Sequence, residues 1–437
     1  MNRRTIALIL ALTVTLALGA SAATAESAAP KTAETDPAAA ETAAPDTKRE
    51  ETVFAAAESA AGTETAAPDA AGTLSFGNIG LRMIENYYPM LALQEMVNDI
   101  ESHDYDFRSE NLRMRINEIG AMDPTAAMLS GNMTAYSMAQ AGASQLRQSY
   151  DDLLSGETKK DDESALRQYR NAQNQTVVYG ETLYLLVASL EAQDGSVARG
   201  LAKLDRSLRE LRLREQLGQI PAMTVEQVEN TRTQTLSAQK TLAMNREKYL
   251  MTLKSMVGVA LDEPLTLREV PKVSPEQLAA MDLEADLVKA KEASYELFDA
   301  KKQIDDFFKG GYTDVMKAYG SSSKIFEVSQ AKHYLQMLRY QYEDACVSFE
   351  LNFRTLYAQV QDDAQVLSAK RAALAQQEKE YAASALKYEQ GNISANALAD
   401  AKDVLADAKD AVADAERELF SVYRSYTWAV DYGILNG

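Results

Sequence analysis

From Val328 to Val430 the sequence keeps a helical hydrophobic period with one interruption, between Tyr388 and Ser394. A helix over 327–390 would be about 96 Å long at about 1.5 Å per residue, far beyond the width of a small globular domain. A chain carrying such a segment is predicted to fold as an elongated helical body. Gly391 accepts the left-handed backbone that closes a helix, and Ser394 can cap the next one by accepting a backbone N–H. Beyond it, Leu398, Ala401, Leu405, Ala408, Val412, Ala415, Leu419, Val422 and Tyr426 follow a 3-4 spacing. That seam interleaves large residues with alanine, so two helices can approach closely. The pattern predicts a hairpin of long helices with Gly391 at its tip.

The same plan occurs earlier in the chain. A helical pattern from Glu163 to Leu217 is broken by Gly218, Gln219, Ile220 and Pro221. Thr224 and Gln227 have the spacing of a capping box for the next helix, in which Val228, Thr235, Leu242, Tyr249 and Met256 recur every seventh residue. Thr182, Leu183, Tyr184 and Val187 return as Thr355, Leu356, Tyr357 and Val360, an offset of 173 residues. The same offset carries Gly218, Ile220 and Val225 onto Gly391, Ile393 and Leu398. Upstream, Glu85, Tyr88, Met90, Val97 and Asp99 align with Glu292, Tyr295, Leu297, Ile304 and Asp306 at an offset of 207, so the first copy holds about 34 extra residues. Three aligned blocks in one order identify a tandem repeat.

The remaining segments fill out this scheme. Helices are predicted over 78–100, with Pro89 as a kink or restart, and over 109–121, 124–154 and 283–307. The 124–154 stretch is rich in small residues and methionine, and a polar break follows from Ser155 to Asp162. Pro264, Pro271 and Pro275 mark a linker, with Ser274 or Pro275 starting the second copy. The expected organisation is a signal peptide over 1–25, an Ala/Glu/Thr/Pro-rich disordered tether over 26–74, a first helical repeat over 75–262, a linker over 263–282 and a second repeat over 283–437. Arg3 and Arg4, an apolar run from Ile6 to Leu18 and small residues at 20–25 are the parts of a secretory signal peptide. The tether has almost no large apolar residue to bury. The chain is therefore expected to be exported to the cell envelope.

Of the 437 residues, 25% are charged and the net charge is -19, which argues against nucleic acid and anionic lipid headgroups as partners. One cysteine, Cys346, permits no intrachain disulfide and reads as a small buried hydrophobe. His103 has no second histidine or cysteine nearby to complete a metal site. No nucleophile elbow, phosphate-binding loop, zinc-protease motif or glycine-rich dinucleotide turn occurs. No catalytic residue, cofactor or metal is expected, and the chain does not read as an enzyme.

The tip phrase Gly391, Ile393, Ser394, Leu398 and Ala401, repeated more loosely as Gly218, Ile220, Pro221, Val225 and Val228, resembles the TolC-like outer-membrane efflux proteins. Two tandem hairpin repeats behind a signal peptide are also similar to that family, and the resemblance covers about 76–433. It implies a homotrimer whose hairpins form a hollow α-barrel. It also implies a tunnel that carries substrate in tripartite efflux or type I secretion, docked through its hairpin tips on a periplasmic adaptor, or membrane fusion protein, that is joined to an inner-membrane pump. The tip residues Gly218, Ile220, Pro221, Gly391, Ile393 and Ser394 become candidates for docking; an ordinary hairpin turn is the other reading. Asp400 matches one acidic position that narrows the tunnel in the family, whereas Ala397 departs from the other. As a charged residue on a coiled coil, Asp400 also reads as a solvated flank.

The family's membrane barrel requires strands of about 10 alternating residues. The corresponding regions, 101–160 and 308–326, show helical spacing (Leu112, Ile116, Ile119) or are too short. The fold class expected is mainly α, a tandem repeat of long helical hairpins with little or no β-barrel. An exported coiled-coil scaffold with no conducting role is the alternative function. An adaptor fits less well, since adaptors carry one hairpin between β-rich domains.

Overall fold

The computed structural model describes residues 69–70, 72–308 and 325–435. The expected signal peptide, most of the tether and most of the 308–326 region lie outside the described residues. The chain that is described is mainly helical, as its periodicity predicts. A short strand β1 (Thr73–Leu74) and a 3-10 turn lead into α1 (Ile79–Asn86) and α2 (Tyr88–Glu101). Then come α3 (Tyr105–Gly120), α4 (Pro124–Leu129), α5 (Met133–Leu154) and the long pair α6 (Glu157–Gln216) and α7 (Ala222–Met256). Strand β2 (Thr266–Leu267) and α8 (Pro275–Ala279) precede α9 (Leu283–Ala293), α10 (Tyr295–Asp306) and the second long pair, α11 (Ile325–Glu389) and α12 (Ala395–Tyr432). Among the described residues the strands are confined to β1 and β2, which pair in parallel. The region 101–160, where barrel strands would fall, is helical apart from short breaks at 102–104, 121–123, 130–132 and 155–156.

The repeat is visible in the backbone. α1 and α2 are separated at Tyr87, and α9 and α10 at the equivalent Ser294, each in extended conformation (φ −85°, ψ 111° and φ −66°, ψ 118°). Pro89 falls in the first turn of α2, where its missing N–H costs nothing. Each hairpin's second helix ends beside that break. A Cβ on Gly258 would collide with Asn86, and one on Gly433 with the backbone of Ser294.

Two hydrophobic clusters hold the hairpin bases. The second is built within the second repeat from Leu287, Ala290, Leu297, Phe349, Phe353, Val360, Leu367, Leu419 and Tyr426. The Tyr426 hydroxyl donates to Asp286 Oδ2 at 2.5 Å, and burial, then that carboxylate, push its pKa above the usual phenol value. The first cluster gathers Leu74, Ile79, Met83, Val177, Tyr184 and Leu253, but also Phe420, Trp428 and Ile434 from the end of the chain. Between the clusters lies a buried polar group. Arg424 on α12 donates from Nε and Nη2 to the two oxygens of Glu181 on α6 at 2.9 and 2.8 Å. Trp428 Nε1 donates to the same carboxylate at 2.8 Å. The two repeats are thereby interlocked.

Four local expectations are corrected. Leu74 is fully buried and the Asp69 carboxylate accepts from Ser75 N–H at 3.0 Å, so packed chain begins before residue 75. The 124–154 helix is interrupted at 130–132, where Gly131 takes φ 71°. The polar run after Ser155 breaks the helix only at Gly156, and the Lys/Asp residues continue α6 because charged residues sit readily on an exposed helix face. Thr224 does not cap α7; the helix starts two residues earlier at Ala222, with Pro221 in the cap position and no side-chain bond.

Candidate functional site

The two tips close in the same way. At the end of α6, Gly218 takes φ 67°; at the end of α11, Gly391 takes φ 74°. Gly218 N–H donates to Glu215 O and Gln219 N–H to Arg214 O, both at 2.8 Å. Gly391 N–H donates to Tyr388 O at 2.9 Å and Asn392 N–H to Lys387 O at 2.8 Å. These paired bonds are a Schellman closure, which satisfies carbonyls that a helix end leaves open. Ile220 and Ile393 are half-buried in the two turns, whereas both glycines, Pro221 and Ser394 are exposed.

The next helices start differently. Ser394 Oγ accepts from Ala397 N–H at 3.2 Å, the cap its side chain predicts. Pro221 has a nearly identical backbone (φ −74°, ψ 148° against φ −75°, ψ 160°) and no side chain able to accept. Around the tips, Leu213, Leu217 and Met223 on one side and Leu386 and Tyr388 on the other are large apolar residues facing solvent.

No family model matches the chain, and no curated protein does. Among solved structures the chain is similar to outer-membrane channels. A membrane protein from Pseudomonas aeruginosa aligns at 13% identity over 83% of this chain and 90% of its own, with a TM-score of 0.48. The outer-membrane channel OprN aligns at 12% identity over 82% and 91%, with a TM-score of 0.47. The outer membrane protein VceC of Vibrio cholerae aligns at 12% over 82% and 96%, with a TM-score of 0.44. Such identities carry no residue's role from those proteins to this one.

Asp400 lies near the second tip and belongs to a set of ion pairs that sequence reasoning missed. Arg206 on α6 pairs with Asp403 and approaches Asp400 at 3.6 Å. One heptad nearer the base, Arg199 pairs with Asp410 and lies 3.9 Å from Asp407. Beyond Arg206, toward the tips, Asn396 donates to Glu210 Oε2 at 3.3 Å. The arginines recur every seven residues and the aspartates every three and four, so α6 and α12 meet along one antiparallel edge. The Asp400 side chain stays 56% exposed beside its arginine. The available signal was the run of 3-4 spaced aspartates, but its partner helix is about two hundred residues away in sequence.

Other singled-out residues have structural surroundings. His103 Nδ1 is 2.9 Å from Asp162 Oδ2, which also accepts from the Tyr105 hydroxyl at 2.9 Å. Cys346 is half-buried on α11 and packs against the second cluster. Among the described residues no group of three or more His, Cys, Asp or Glu side chains could hold a metal ion.

Proposed function

We propose that this chain is an exit-duct component of the cell envelope, which moves substrate through a tunnel of helical hairpins and does no chemistry on it. In this reading three copies assemble, each contributing two hairpins to the wall. A periplasmic adaptor grips the tips at Gly218, Ile220, Pro221, Gly391, Ile393 and Ser394, and an inner-membrane pump supplies the substrate. Asp400 then stands near the tunnel entrance as a candidate constriction, its charge moderated by Arg206.

The observation that carries the proposal is the pair of equivalent, Schellman-closed tips at the ends of helices of 60 and 65 residues in one chain. A scaffold needs length but has no need of two matched, exposed tips with apolar residues beside them. The resemblance of the tip phrase to the TolC-like proteins points the same way.

Mass measurement in solution tests the assembly: a trimer is expected, and a stable monomer overturns it. Co-purification from the native envelope tests docking. Capture of an adaptor that is lost on Gly391→Val with Ile393→Asp supports the duct, whereas trimers that capture no adaptor favour the scaffold.

A further inference from the structure

The first repeat's extra residues form a second projection, at the end of α6 remote from the tips. Its root is fixed where His103 and Tyr105 meet Asp162 and where Gly156 turns α5 into α6. From there α3 runs out and α5 returns, with Gln140 Nε2 bonded to Ile119 O across the pair and the short α4 between them. At 16 residues, α3 places that bend roughly 24 Å from the root.

Two features set this projection apart. It has almost no core: α3 and α4 contain no buried side chain, and in α5 only Ala143 is buried. Its large apolar residues face outward instead, including Leu129 at 86% exposure, Met128 at 73% and Met138 at 70%, with Met122 and Met133 flanking the bends. Second, no charged residue occurs from Pro124 to Leu146, in a chain that is 25% charged with a net charge of -19. The projection's charges sit outside that stretch, among them Arg113, Arg115 and Glu118 on α3; exposed apolar side chains on an uncharged stretch mark a site of contact with something else.

We infer that the bend from Pro124 to Met138 is a lipid-contact element that lodges among the acyl chains and glycerol backbones of an electrically neutral membrane surface. The absence of charge from Pro124 to Leu146 on an otherwise acidic protein fits a neutral interface, whereas anionic lipid would repel the rest of the chain. The exposed side chains crowd around bends at the apex, and a convex knob suits a deformable layer better than a rigid partner. Methionine, unbranched and flexible, packs into such irregular surroundings. The contact is superficial: among the described residues no helix is long and apolar enough to cross a membrane. This site is remote from the tips, so the duct reading can fail without it, and the reverse.

Flotation of the purified protein with vesicles provides the test. Binding to phosphatidylcholine vesicles is expected, weaker on adding phosphatidylglycerol, and persisting in high salt because it does not rest on ion pairs. Met128→Asp with Leu129→Asp should lower the bound fraction about tenfold or more. Those side chains are exposed, so helicity by circular dichroism should not change. In a Cys346→Ser background, an environment-sensitive fluorophore on Leu129→Cys should shift to the blue with vesicles, and one on Leu217→Cys should not. No flotation with neutral vesicles, or equal flotation of the double variant, overturns the proposal. So does a lipid-free assembly that the double variant dissociates, since the surface would then be a contact between copies.

Discussion

The two hairpins of this chain have the same tip and are zipped by different means. Along the second, α12 presents Leu398, Ala401, Leu405, Ala408, Val412, Ala415 and Leu419 to α11, half-buried as far as Ala415 and buried at Leu419. Along the first, α7 offers the sparser series Val228, Thr235, Leu242 and Tyr249, and ion pairs and a polar bond supplement it. Arg212 donates to Glu229 at 2.6 Å, Arg232 to Asp205 at 2.6 Å, and Gln239 to Asp194 at 3.1 Å. The difference extends to the base. The second repeat completes its own cluster, whereas the first takes Phe420 and Trp428 from α12 and Ile434 just beyond it. A duplicated fold need not duplicate its energetics: the second hairpin stands mainly on its own packing, with Arg371 donating to Glu416 across it at 2.8 Å, and the first leans on the second.

The sharpest way to break this asymmetry is to cut the link at Glu181. Its carboxylate is buried with bonds from Arg424 and Trp428, so Arg424→Ala leaves a buried charge without its cation. Breaking such a pair costs about 3–5 kcal/mol. Thermal unfolding should show the loss, and hydrogen exchange should place it first in α1, α6 and the base of α7. Equal loosening of both repeats would contradict the dependence of one on the other.

Smaller effects test the equivalence of the tips. Gly218 and Gly391 both adopt left-handed backbone, and a Cβ at either would meet nothing within 4 Å. Alanine at each should therefore cost the conformational strain alone, about 1–2 kcal/mol, and by the same amount at both. Unequal losses would mean that one tip has a partner that the other lacks. The caps should then separate them. Ser394→Ala removes a bond worth about 1 kcal/mol, while Pro221→Ser, on a matching backbone, should gain part of that at the first tip. Amide exchange in the first turns of α12 and α7 reads both changes.

These residues also mark how far the sequence could be read. Tip glycines, the serine cap, the seam and the repeat were legible because each is written within a few turns of helix or copied at a fixed offset. The start of α7 was misread because Thr224 and Gln227 have capping spacing, yet Pro221 had already fixed the entry angle one turn earlier. Leu74 gave no periodic signal, since a two-residue strand has no period. The outward turn of Met128 and Leu129 was hidden for another reason: spacing tells which residues share a helix face, not whether anything covers it. The pairing of Arg199 and Arg206 with the aspartates of α12 depends on the register of helices far apart in sequence, and no local pattern sets that.

That pairing gives the smallest expected effect and decides between roles for Asp400. Exposed ion pairs contribute about 0.2–1 kcal/mol, and Arg206, with Asp400 56% exposed, has Asp403 as a second and more enclosed partner. In a double-mutant cycle of Arg206→Ala with Asp400→Ala, coupling should fall at the low end of that range; with Asp403→Ala it should be larger, and both should shrink as salt rises. If Asp400 serves mainly to hold α12 against α6, its removal changes stability and leaves conductance of a reconstituted assembly untouched. If it faces a conducting entrance, Asp400→Ala alters conductance or cation preference at nearly unchanged stability. An Asp400 variant that moves neither quantity would leave Arg206–Asp403 and Asn396–Glu210 as the contacts that join the two hairpins near their tips, and would remove Asp400 from the functional site.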